Sequence, residues 1–258
     1  MNMANKIVIA NWKMNPKTIG EAKKILLGIH KGLATMSGID VYICPPVVFL
    51  PELSTASKGK KNFSFGVQDV FYEETGAYTG QMSPDMVKAY KATLTILGHS
   101  ERRELGETNE IVTRKVRHAL AKGMTVVLCV GERERTDEGD YFTFIRDELE
   151  AVLSGMKRAD LKKIIIAYEP IWAIGKRAEE ALDVPALYEM VLFIRKILTE
   201  HFGRAPAQKV PILYGASVKA DNAGEFVVEG GVNGLLVGSA SLDSKQFISI
   251  SKAVVTKK

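Results

Sequence analysis

The chain has 258 residues, 46% of them hydrophobic, with 35 basic against 30 acidic side chains and a pI near 9.0. That is enough apolar material for one barrel-sized domain or two small ones, and no run approaches the ~18 apolar residues that a membrane span needs. The basic excess is scattered, densest at Lys58, Lys60 and Lys61 and again at Lys257-Lys258; it forms no like-charge block and no basic stripe interleaved with aromatics, so neither a nucleic-acid nor a membrane partner is expected.

The N-terminal apolar run, Ile7–Ala10, is too short for the core of a secretory leader, so a cytoplasmic protein is expected. The only cysteines, Cys44 and Cys129, lie in strand-like apolar contexts. They are expected to be buried free thiols, and no His/Cys/Asp grouping has metal-ligand spacing.

In chain order, short β-branched runs alternate with longer amphipathic ones. The predicted strands are Lys6–Ala10, Val41–Cys44, Phe63–Val67, Leu94–Leu97, Thr125–Val130, Ile164–Ala167, Pro211–Tyr214 and Gly234–Val237. After the first, Thr18 and Glu21 have capping-box spacing ahead of the face Ala22, Ile25, Leu26, Ile29, Leu33. Leu50 and Leu53 mark a short helix, and Ser83-Pro84 is an N-cap followed by a first-turn proline. Ile111, Val112, Val116, Ala119 and Leu120 line the next long helix, which Gly123 ends; Phe142, Ile145, Leu149, Val152 and Leu153 line another. Asp183 and Pro185 start a helix carrying Leu187, Met190, Val191, Ile194 and Leu198, with Gly203 to stop it. Two more carry Ala223, Phe226, Val227 and Phe247, Ile250, Val254. Eight βα units without a linker predict an α/β fold, a single-domain (β/α)8 barrel over residues 1–258. The alternative, an open doubly wound sheet, would usually carry a glycine fingerprint after its first strand, where this chain has Asn11-Trp12-Lys13-Met14-Asn15.

In such barrels chemistry gathers at the C-terminal strand ends. Strand one delivers Asn11 and Lys13, two apart and able to face one way. Strand three leads into a long segment, Gln68–Gln81, of a length that suits a functional loop or a contact surface. Strand four delivers His99 in Gly98-His99-Ser100-Glu101-Arg102-Arg103. The other histidines, His30, His118 and His201, lie in or at the ends of amphipathic helices and are expected to be solvated. Cys129 precedes Gly131-Glu132, and its apolar frame favours packing over nucleophilic chemistry. Strand six delivers Glu169, then the apolar segment Pro170-Ile171-Trp172-Ala173-Ile174-Gly175, which suits a lid. Strands seven and eight deliver Gly215-Ala216-Ser217 and Gly238-Ser239, small residues that let backbone N–H groups approach an anion.

The motifs Asn11–Asn15, Gly98–Arg103, Leu128–Glu132, Tyr168–Gly175 and Leu213–Gly215 together resemble the signatures of the triosephosphate isomerase family, in family order and across almost the whole chain. The resemblance implies a TIM barrel that interconverts dihydroxyacetone phosphate and D-glyceraldehyde 3-phosphate, in glycolysis and gluconeogenesis, without metal or organic cofactor. It implies Glu169 as the base, His99 as a neutral electrophile, Lys13 with Asn11 as stabilisers of the enediolate, and Glu101 as the partner of Lys13. A base facing a neutral histidine is a long-described arrangement for this reaction. The resemblance also implies phosphate binding by the backbone at Gly175, Ser217, Gly238 and Ser239, a closing lid over 170–178, and a homodimer through 68–81 with Thr79 near the partner's site. The chain departs from the family pattern at Lys176-Arg177-Ala178, where Thr-Gly-Lys is common, and at Ala216, Ser239 and Asp69. The alternatives are a phosphate-ligand-binding barrel with weak or no turnover and a related phosphosugar isomerase.

Overall fold

The computed structural model describes residues 5–57, 63–136, 138–174 and 182–255. Lys58, Lys60, Lys61, Gly175, Lys176, Arg177, Ala178, Lys257 and Lys258 therefore lie outside the described residues. The apolar runs become β1 (Lys6–Asn11), β2 (Ile39–Cys44), β3 (Phe63–Val67), β4 (Ala92–Leu97), β5 (Thr125–Val130), β6 (Ile164–Tyr168), β7 (Ile212–Tyr214) and β8 (Gly234–Val237). All pair in parallel in chain order, and β8 pairs with β1 to close the barrel. The predicted strands are these strands. β1, β2, β4 and β6 are one or two residues longer than expected, and β7 starts at Ile212.

The helices are α1 (Ile19–Leu33), α2 (Leu50–Ala56), α3 (Pro84–Lys88), α4 (Ser100–Glu104), α5 (Asn109–Ala121), α6 (Asp140–Leu153), α7 (Val184–Phe202), α8 (Arg204–Ala207), α9 (Ala220–Val228) and α10 (Ser244–Val255). None is long and apolar enough to cross a membrane among the described residues. Their starts follow local chemistry: the side chains of Thr18, Ser83, Thr108 and Asp183 each accept from an amide three residues on. The capping box expected at Thr18 is only half made. Thr18 accepts from Glu21 N, but the Glu21 carboxylate accepts from Lys17 N instead of closing on Thr18.

Strand alternation divides the core in two. Val8, Ala10, Val126, Leu128, Val130, Ile164, Ile166 and Tyr168 face the helices. Ile9, Leu94, Ile96, Val127, Cys129, Ile165, Ala167, Leu213 and Leu236 fill the barrel interior, together with Cys44. Both cysteines are buried free thiols, as expected. His30 is not the solvated residue expected: it is 4% exposed, 3.3 Å from Ser57 Oγ and edge-on to the Phe63 ring. It follows Ile29 and lies one turn beyond Leu26, so the buried face of α1 is wider than its strictly apolar positions suggest.

Asp69 opens the long loop after β3 and anchors it to α5. Lys115 Nζ, 1% exposed as a residue, donates to Asp69 Oδ1 (2.7 Å), Asp69 Oδ2 (2.6 Å) and Glu107 Oε1 (2.5 Å). Arg102 Nη2 joins the same two carboxylates. Burial pushes the Asp69 carboxyl up, and the Lys115 ammonium pulls it back. Removing one buried cation strands its partners, so Lys115→Met is expected to cost about 3–5 kcal/mol in urea unfolding. A loss under ~1 kcal/mol would show that the cluster contributes little.

Candidate active site

The same alternation carries the site residues to the barrel mouth. Ile165 and Ala167 point inward, so Glu169 does too; Ile9 is followed on its face by Asn11, Leu213 by Gly215 and Leu236 by Gly238. His99 is out of phase with the inward residues Leu94 and Ile96. Gly98 corrects the phase with a left-handed φ of +73°, which only glycine adopts cheaply. The result is a cleft of about 700 Å³ whose walls include Asn11, Lys13, His99, Glu169, Ser217, Gly238 and Ser239. Glu101 stands at its edge through Lys13, and Gly175 lies outside the described residues.

Lys13 sits at φ +53°, an uncommon conformation for a side-chain-bearing residue. Two side chains hold it there. Its N–H donates to Asn11 Oδ1 (3.2 Å), and Gln68 Nε2 donates to its carbonyl (2.8 Å). Its ammonium reaches Glu101 Oε1 at 2.6 Å. The Lys13 stem runs beside Gly238, where a Cβ would make ordinary van der Waals contact with Lys13 Cε at 3.5 Å.

His99 caps α4, the polar turn suspected from the sequence. Its Nδ1 accepts from Glu101 N (3.2 Å), which assigns the ring proton to Nε2. Nε2 lies 3.5 Å from Glu169 Oε1. The Glu169 side chain is 3% exposed, and its Oε2 has no hydrogen-bond partner among the described residues. The Cys129 thiol lies beside this carboxylate; burial and the neighbouring carboxylate push the thiol far up, so it packs as expected and supplies no thiolate. Gly215 gives the base room, because a Cβ there would sit 3.0 Å from Glu169 Cγ.

The loop after Glu169 begins with a 3-10 turn over Ile171–Ala173. Glu132 Oε1 accepts from Trp172 Nε1 (2.9 Å), Tyr168 OH (2.8 Å) and Arg135 Nε (2.9 Å), and Ser217 Oγ donates to the Ala173 carbonyl (2.9 Å). Trp172 thus has a directed partner and is more than filler.

Three residues around the site went unread in the sequence. Gln68 was read only as a loop start, and Glu132 only as a strand-end residue closing the motif Leu128–Glu132, with no partner assigned. Glu148 was passed over on α6, although it lies three residues after Ile145 and four before Val152, on the face that packs inward. A carboxylate at an apolar-face position was the available signal. Glu148 Oε2 accepts from Gly131 N (2.9 Å), and Oε1 meets Arg103 Nε at 3.1 Å. Burial pushes its carboxyl up to about 7, against the pull of Arg103. A carboxyl raised above its unfolded value of about 4.5 favours the fold fully below that value and loses this as pH rises through about 7. Glu148→Gln removes that dependence. From pH 5 to pH 8 the native chain is expected to lose up to about 3 kcal/mol more stability than the variant. Parallel pH profiles in urea unfolding would show the carboxyl is not raised.

A closed parallel barrel with a carboxylate, an imidazole and a lysine converging on small-residue turns defines a class of barrel enzymes suited to proton transfer on small anionic substrates. The family model described as Triosephosphate isomerase matches residues 6–254. The triosephosphate isomerase of Roseiflexus sp. is 40% identical over 250 residues, covering 96% of this chain and 97% of that protein. That of Roseiflexus castenholzii is 39% identical over 251 residues (96% and 97%), and that of Dehalococcoides mccartyi 38% over 252 residues (97% of each). The chain belongs to the triosephosphate isomerase family.

Proposed function

We infer that the chain interconverts dihydroxyacetone phosphate and D-glyceraldehyde 3-phosphate, with Glu169 as the base that moves the proton. The observation that carries the residue roles is the convergence of Glu169, His99 and Lys13 on one cleft, with His99 Nε2 3.5 Å from Glu169 Oε1. Glu169 takes a proton from C1 of the ketone, and the electron pair moves to the carbonyl oxygen to give an enediolate. His99 Nε2–H hydrogen-bonds that oxygen, while the Lys13 ammonium stabilises its charge and Asn11 fixes the Lys13 backbone. A proton passes from the C1 hydroxyl to the C2 oxygen by way of His99 Nε2, and Glu169 returns its own proton to C2, so that C1 becomes the aldehyde, C2 carries the hydroxyl, and His99 and Glu169 end as they began. Glu101 holds the ammonium over the cleft.

The phosphate sits on backbone N–H groups at Gly175, Ser217, Gly238 and Ser239, and the loop over 170–178 closes above it, excluding water from Glu169. The Trp172–Glu132 bond and the Ser217–Ala173 bond support a hinge at the near end of that lid. The chain works as a cytoplasmic homodimer. The loop 68–81 supports this reading, because its residues beyond Glu73 are exposed around Phe71, which stacks on Tyr72 and lies tilted against Tyr78, and Met14 beside the site is left 94% exposed in one copy. In that dimer Thr79, exposed on the same loop, would stand near the partner's cleft.

The test is a coupled assay with glyceraldehyde 3-phosphate, with and without 2-phosphoglycolate. Turnover that 2-phosphoglycolate inhibits competitively is expected; tight phosphate-ligand binding without turnover would replace the enzyme by a binding protein.

A further inference from the structure

We propose that the buried Arg103–Glu148 pair is a positioning device that locks the ends of β4 and β5 together so that His99 and Glu169 face each other. The inference rests on the reading of those two residues as the reacting pair. Glu148 uses each oxygen on a different partner: Oε1 lies 3.1 Å from Arg103 Nε, and Oε2 accepts from Gly131 N at 2.9 Å. Arg103 Nε also donates to the Gly98 carbonyl (2.8 Å), and its Nη1 donates to Asn109 Oδ1 (2.6 Å). One contact therefore grips the residue that turns His99 into the mouth. The other grips Gly131, which is pressed against the base: a Cβ on Gly131 would lie 1.8 Å from the Glu169 carbonyl oxygen. The neighbouring Glu169 N–H donates to the Val130 carbonyl at 2.8 Å.

Neither side chain borders the main cleft. Both line a smaller hollow of about 300 Å³ with Asn109, Asp147 and Ile171. They are 11% and 3% exposed, so the pair is desolvated. A buried ion pair rarely stabilises a fold better than apolar packing would, whereas fixing two catalytic backbones to within a fraction of an ångström has a large kinetic value. A carboxylic acid as well as a carboxylate accepts from Gly131 N–H, so the grip persists whichever form Glu148 takes.

The experiment is steady-state kinetics of Glu148→Ala, Glu148→Gln and Arg103→Lys in the full chain, well below their unfolding temperatures, beside Glu169→Asp. Glu148→Ala is expected to lower kcat about 10-fold or more with KM within about twofold. Glu148→Gln, whose amide oxygen still accepts from Gly131 while its NH2 turns toward Arg103, is expected to recover only part of that kcat. Arg103→Lys keeps the charge but shortens the reach to Gly98, so it shows the same kcat-only loss even if Glu148→Ala does not fold. A wild-type kcat in Glu148→Ala or Arg103→Lys, or Glu148→Gln as slow as Glu148→Ala, overturns the positioning role while a slow Glu169→Asp leaves the base intact. A near-normal Glu169→Asp overturns both.

Discussion

Glu169→Asp will lower kcat by about 10²-fold or more and leave KM comparatively little changed. The side chain is held on a rigid strand end: Glu169 N–H donates to Val130, Gly131 packs against its carbonyl and Gly215 against its Cγ. The backbone therefore cannot follow a shortened side chain toward the substrate, and the carboxylate withdraws by about the length of one bond. Proton transfer depends steeply on that distance, whereas substrate affinity resides mainly in the phosphate contacts. Steady-state kinetics with glyceraldehyde 3-phosphate measure both constants, and near-normal turnover would remove Glu169 as the base.

Lys13→Met will lower kcat by about 10²–10³-fold, the usual cost of losing a fixed donor or charge at a developing oxyanion. KM will rise as well, because the same ammonium lines the cleft and draws in a phosphorylated substrate. The residue is not a tethered surface lysine that water replaces. Asn11 and Gln68 hold its backbone at φ +53°, and Glu101 sets its ammonium. Methionine keeps the length and the packing, so the loss reports charge. A variant within a fewfold of wild type in both constants would mean that His99 alone carries the oxyanion.

The barrel was legible because its signals are local and repeated. Strands such as Ile164–Tyr168 and caps such as Ser83 and Asp183 follow from β-branched runs and short polar side chains read a few residues at a time. Position just past a predicted strand also put Glu169, Asn11 and Gly238 at the mouth. What was not legible depends on partners distant in sequence. Glu148 meets Arg103 and Gly131 from another helix and another strand end, and Lys115 becomes a buried cation only because Asp69 and Glu107 close over it. His30 was misread because burial on α1 extends past its apolar residues to a side chain that finds Ser57 and Phe63.

The most direct measurement pairs turnover of glyceraldehyde 3-phosphate with calorimetric binding of 2-phosphoglycolate, in the native chain and in Glu169→Gln. The native chain is predicted to turn over and to bind. Glu169→Gln is predicted to lose turnover by orders of magnitude and still bind the phosphate group, since Lys13, Ser217 and Gly238 remain in place. Turnover that survives in Glu169→Gln, or a native chain that binds 2-phosphoglycolate without isomerising the triose phosphate, would contradict the account.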